Sequence, residues 1–112
     1  DKIFLDSNKR EFLKYKNAAK KLAESRVAYY NTFYHFQINR IAIKNTKSRW
    51  GSCSKKGNLN FNYKIALLPL ELANYIIVHE LCHLGEFNHS KIFWKLVASA
   101  IPNYKLLRRK FK

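Results

Sequence analysis

The chain has 112 residues, 47% hydrophobic and 15% aromatic, with 22 Lys and Arg against 7 Asp and Glu for a formal net charge of +15. That is enough apolar material for one packed domain and argues against wholesale disorder, and a balance this basic favours an anionic partner. The longest apolar stretch, Ile65 to Val78, is broken by Pro69, Glu71 and Asn74, and Asp1 to Arg26 mixes charged and apolar residues evenly, so neither a membrane span nor a signal peptide is expected.

Ser7 to about Phe33 reads as one amphipathic helix. Ser7 is a good capping residue, and Phe12, Tyr15, Ala19, Leu22, Val27 and Tyr30 recur near the helical period between lysines. From Ile38 to Ala66 the period changes to two. Ile41 and Ile43 alternate with Arg40, Ala42 and Lys44, and Leu59, Phe61, Tyr63 and Ile65 alternate with polar residues and Ala66. Arg49 to Cys53 is a short strand between them, and Ser54 to Asn58 is a turn at Gly57. These strands predict a small, mainly antiparallel sheet. Pro69 then suits a helix's first turn, and Leu70 to Leu84 is apolar around most of its circumference, with Gly85 placed to end it. Ser90 caps a further helix over Lys91 to Ile101, Pro102 stops it, and a last short helix runs from about Asn103 to Phe111. The fold class expected is α+β.

The chemistry concentrates where the basic charge does not. Residues 31–60 and 91–112 hold no acid, whereas residues 61–90 carry Lys64 against Glu71, Glu80 and Glu86. Within that stretch His79-Glu80-Leu81-Cys82-His83 is an H-E-x-x-H sequence on the buried helix. Positions i and i+4 share a helical face, so two imidazoles can grip one metal ion. Glu80 can then act as general base on a water activated by zinc. His89 is the natural third ligand, with Gly85 letting the chain leave the helix and fold back, and a fourth position stays open for water or substrate. Two alternatives remain: a closed structural His/Cys site using Cys53, or Glu86 as third ligand. The third His falls where the metzincin pattern has it, but the glycine is one position early and the chain has no Met, so this is not a metzincin.

These residues resemble the YgjP-like metallopeptidase domain, a zincin-type family distantly similar to SprT-like and WLM-like proteases. The resemblance runs over Arg49-Trp50-Gly51-Ser52-Cys53-Ser54, Gly57-Asn58-Leu59-Asn60, Tyr75 to Leu84, Asn88-His89-Ser90 with Phe93-Trp94, and Pro102 with Tyr104. It implies a zincin-like fold, with His79, His83 and His89 as ligands of one zinc ion and Glu80 as catalytic base. It also implies that full-length members carry a preceding β-rich segment. With the absence of Met, this leads to the expectation of a single domain from the C-terminal part of a longer protein.

Supporting roles are weighed against plainer ones. Arg49 is a candidate contact for a substrate carboxylate, a phosphate or the developing oxyanion, although pairing with Glu71 or Glu86 is the favoured reading. Tyr104 is a candidate oxyanion donor, and Asn88 a candidate for orienting His89 by a hydrogen bond. Trp50 and Trp94 read as core anchors, His35 as an ordinary surface or packing histidine, and Cys53 and Cys82 as small buried hydrophobes, free thiols in a reducing cytoplasm. The expected activity is zinc-dependent hydrolysis of peptide bonds in a peptide or protein substrate. The alternatives are nucleotide phosphohydrolysis, suited to Arg49, Lys55 and Lys56, and nucleic-acid association through the basic flanks.

Overall fold

The computed structural model describes residues 8–111. Helix α1 spans Lys9–Tyr34. Ser7, the expected cap, lies outside the described residues. Asn8 caps instead, its Oδ1 accepting from the Glu11 backbone N–H at 3.0 Å. Ala19, Ala23 and Val27 recur every four residues and form the buried stripe. Two of the three are alanines, which lets α1 lie close on the elements beneath it. The helix ends at His35, whose φ of 61° is left-handed. Asn31 offsets that strained turn: its side chain bonds both the N–H and the carbonyl of Phe36. His35 therefore serves the turn and not the chemistry.

Strands β1 (Arg40–Lys44), β2 (Gly51–Cys53) and β3 (Asn58–Asn62) form one sheet in the order β1-β3-β2. The β2–β3 hairpin is antiparallel and turns at Gly57, whose φ of 87° requires glycine. The sheet is mixed, however, and not mainly antiparallel. β1 runs parallel to β3 over five residue pairs, from Arg40 opposite Asn58 to Lys44 opposite Asn62. The loop after β1 carries the chain past β3 to the far edge, so the hairpin returns β3 alongside β1 in the same direction.

The strand expected to continue through Ile65 stops at Asn62. That side chain ties down the corner: its Nδ2 donates to the Thr46 carbonyl at 2.9 Å and its Oδ1 accepts from the Lys64 N–H at 2.9 Å. Residues Tyr63–Leu67 then form a 3₁₀ turn, with Tyr63 and Ile65 fully buried against α1. A buried turn and a half-buried strand produce the same alternation over so few residues.

Helix α2 (Leu70–Cys82) is the central element, buried over nine of its side chains. Pro69 sits at its N-cap, its carbonyl accepting from Leu72 and Ala73. Helix α3 (Lys91–Ala100) starts at Ser90, whose Oγ accepts from the Phe93 N–H, and Pro102 separates it from α4 (Tyr104–Arg109). Leu59 and Phe61 from β3, Ile77, Val78 and Leu81 from α2, and Phe93 and Val97 from α3 meet in one core. Among the described residues, no helix is long and apolar enough to cross a membrane.

Candidate metal centre

The last turn of α2 carries His79, and His83 is the residue that caps the helix end. Beyond it the backbone tightens: the N–H groups of His83 and Leu84 bond carbonyls three residues back. Gly85 does not end the helix by a left-handed turn, since among the described glycines only Gly57 has positive φ. A Cβ on Gly85 would lie 2.8 Å from Phe36 Cζ and 3.0 Å from Leu96 Cδ1. The glycine permits close approach at the bend, and the chain returns to deliver His89 immediately before Ser90 caps α3.

The three histidines meet. Their donor atoms all lie within 4.8 Å of one another, and the Nε2 atoms of His79 and His89 face each other at 3.2 Å. Two facing imidazole nitrogens at that distance need a shared proton or a cation between them. In a tetrahedral site with metal–nitrogen bonds of about 2.0–2.1 Å, neighbouring donors stand about 3.3 Å apart.

The tautomers agree with ligation. His83 Nδ1–H donates to the Glu86 carbonyl at 3.2 Å, and His79 Nδ1–H donates to Glu80 Oε2 at 3.1 Å. Each bond holds the proton on Nδ1 and leaves the Nε2 lone pair bare. Burial lowers the pKa of His83, with His79 adding to the shift and Glu80 opposing it, and burial with both neighbouring histidines lowers that of His89, which favours the neutral, metal-binding form. Phe93 touches all three rings: stacked on His83 at 4.4 Å, and edge-on to His79 at 5.2 Å and to His89 at 5.0 Å. Trp94 stacks on His89 at 5.8 Å. The donor set therefore fits a metal ion held by three histidine nitrogens.

Among the described residues, the cluster contains no cysteine and no carboxylate. Cys53 is hydrogen-bonded to the Ser54 carbonyl, and Glu86 meets His83 through its backbone, so neither alternative ligand is brought in. Burial pushes the Cys53 thiol up to about 12 and the Cys82 thiol up to about 11. Both stay protonated at neutral pH and are poor nucleophiles. Alkylation by iodoacetamide at pH 7.5 should thus be at least about 100-fold slower in the folded protein than in denaturant. Mass-spectrometric time courses check this, and fast native labelling would contradict it.

Glu80 is buried, with 7% of its surface exposed, and no hydrogen bond engages its Oε1. Its room comes from Gly51 in β2. A Cβ there would lie 2.8 Å from Glu80 Cγ and 3.1 Å from the Asn60 carbonyl. Gly51→Ala should displace the Glu80 side chain and reduce turnover by about 10- to 100-fold, an effect comparable to losing part of one acid–base contribution. Metal content, measured by atomic emission on the same sample, shows whether the displaced carboxylate still holds the His79 ring through Nδ1. Full activity in Gly51→Ala would show that Glu80 does not depend on this contact.

A cavity of about 290 Å³ opens beside His79 and Glu80, lined also by Arg49, Trp50, Tyr75, Arg108 and Phe111. Arg49 makes no ion pair with Glu71 or Glu86; it is exposed at the cavity. Trp50 packs edge-on against Phe111 at 5.3 Å and is half-buried. Tyr104 stacks on Trp94 at 5.0 Å and lines a separate hollow of about 410 Å³. Asn88 is exposed and makes no hydrogen bond to His89. Sequence reasoning overlooked Tyr75, one helical turn before His79 and in the cavity with it. Burial pushes its phenol up to about 12, so it remains a proton donor at neutral pH. Its i, i+4 spacing from His79 was the available signal.

Residues 6–112 match the family described as YgjP-like, metallopeptidase domain. No curated protein sequence matches. Among solved structures, the fold is similar to the metallopeptidase zymogen abylysin of Pyrococcus abyssi, with 24% identity and a TM-score of 0.71 over 79% of this chain and 90% of that one. It is also similar to the metallopeptidase zymogen jannalysin of Methanocaldococcus jannaschii, with 26% identity and a TM-score of 0.62 over 82% and 91%.

Proposed function

Because this chain belongs to the YgjP-like metallopeptidase domain family, we propose that His79, His83 and His89 hold one zinc ion and that Glu80 is the general base for peptide-bond hydrolysis. The observation that carries this reading is the meeting of three imidazoles, two with their Nε2 atoms 3.2 Å apart, beside a buried carboxylate. Three neutral nitrogen donors with a fourth position open suit catalytic zinc. Bound there, zinc supplies Lewis acidity toward water and toward the scissile carbonyl.

The chain's own residues do the rest. Glu80 Oε1, free of other partners, accepts a proton from the attacking water and passes it to the leaving amine. Its Oε2 keeps the His79 ring turned so that Nε2 faces the other two histidines. Phe93 and Trp94 wall the site and limit water. The edge position of β2 next to Glu80 supports binding of an extended peptide as an added strand. The free thiols of Cys53 and Cys82 fit a reducing, cytoplasmic setting. Neither the family match nor the two structures point to a nucleic-acid partner.

The test uses the full chain and an unfolded protein substrate. Cleavage should appear on loading with zinc, stop with a chelator and return with added zinc. Cleavage that survives complete metal removal would overturn the reading.

A further inference from the structure

Two arginines that lie far apart in the chain open onto the cavity beside His79 and Glu80. Arg49 comes from the residues leading into β2, and Arg108 from α4. Both are exposed, and among the described residues neither forms an ion pair. The Arg108 guanidinium carbon stands 4.7 Å from the centre of the Trp94 ring, which itself stacks on His89. A guanidinium laid over an aromatic ring is held by its face, and its in-plane N–H groups stay free for a planar acceptor. Three aromatic side chains form much of the remaining wall, with Ile76 and Gly51 beside them: Phe111 packs against Trp50 at 5.3 Å and against Tyr75 at 6.0 Å. Among the described residues, Glu80 is the only acid lining the cavity.

The cavity thus holds two cations with no ion-pair partner among the described residues, in the same hollow as His79 and Glu80. Aromatic walls thin out the competing water, which strengthens a charge-assisted hydrogen bond from arginine to a carboxylate. We propose that Arg49 and Arg108 select peptide substrates that carry a carboxylate close to the scissile bond. This rests on the peptidase reading and deepens it. The carboxylate has two sources, an Asp or Glu side chain or the free C-terminus of the substrate. A bidentate arginine pairs with either.

The test is a peptide series on one neutral frame, cleaved by the metal-loaded full chain. One set has an amidated C-terminus with Glu, Gln or Lys scanned through the positions flanking the cleaved bond. A second set is neutral with a free C-terminal carboxylate. A carboxylate in register should raise kcat/KM about tenfold over the neutral peptide, as expected for one charge-assisted contact, and the set that gains identifies the source. Arg49→Gln and Arg108→Gln should each shrink that acidic-over-neutral ratio about tenfold. Arg108→Glu should turn the preference toward Lys peptides.

Equal kcat/KM for Glu, Gln, Lys and free-carboxylate peptides would overturn the proposal, as would a ratio unchanged in both Gln variants. Failure to cleave any peptide would instead count against the peptidase reading. Binding then decides the proposal separately. A fluorescent acidic peptide should bind Glu80→Gln protein more tightly than its neutral counterpart, read by anisotropy, and lose that advantage when Arg49→Gln or Arg108→Gln is added. No difference between the two peptides would reject it.

Discussion

Replacing Glu80 by Gln is expected to lower kcat for peptide hydrolysis by about 10²- to 10⁴-fold, the range that one general acid–base residue supplies. The substitution keeps the side chain's shape, so it still fits the space that Gly51 leaves. The amide oxygen can still accept from His79 Nδ1–H, and the ligand ring keeps its orientation. What is lost is proton affinity alone. Metal content should therefore stay at the wild-type level and KM should change little. An interaction used only in the transition state lowers kcat and kcat/KM together. Steady-state kinetics with metal analysis on the same preparation check this. Activity within a fewfold of wild type would remove Glu80 from the mechanism. Because the carboxylate is almost fully buried, the neutral amide should not lower the melting temperature.

His89→Ala is expected to cost more than about 100-fold in metal affinity, since loss of a supporting partner of a ligand alone costs up to about that much. His89 is the most informative of the three histidines to change. It is exposed, whereas His83 is buried and stacked on Phe93 at 4.4 Å. Removing His83 disturbs the core as well as the metal, while removing His89 should change the stability of the metal-free protein by only about 0.5 kcal/mol. A ligand that binds only the folded state stabilises it by about 4 kcal/mol at 1,000 times its Kd. Scanning calorimetry at a fixed zinc concentration should thus show a large metal-dependent rise in Tm for the wild type and little for His89→Ala. Equal metal affinity in the two proteins would show that His89 is not a ligand.

Local signals in the chain read through well. The apolar circumference of residues 70–84 marks the buried helix α2, Ser90 marks the start of α3, and Gly57 marks the hairpin. Each depends on a residue's own backbone or on neighbours within a turn, and such preferences are written into composition and spacing. Signals that depend on partners far along the chain were misread or missed. The pairing of β1 with β3 is parallel because the loop after β1 crosses to the far edge, and nothing in Arg40–Lys44 records that. Tyr63 and Ile65 alternate as a strand does, yet Asn62 has already turned the chain through its bonds to Thr46 and Lys64. Gly85 reads as a helix stop and is a contact glycine against Phe36 and Leu96.

The spacing of His79 and His83 on an apolar helix determined by itself that two imidazoles could share a metal, because helical rise and turn are constants of the backbone. The acid one residue after the first histidine, and the capping serine after the third, were equally plain. Only the tertiary structure decided that His89 returns to within 3.2 Å of His79, that Gly51 makes room for Glu80, and that Arg49 and Arg108 face one cavity with Tyr75. Those arrangements follow from the packing of α2 against β2, α3 and α4. Packing is a sum of many weak contacts between distant residues, and no periodicity along the chain encodes it.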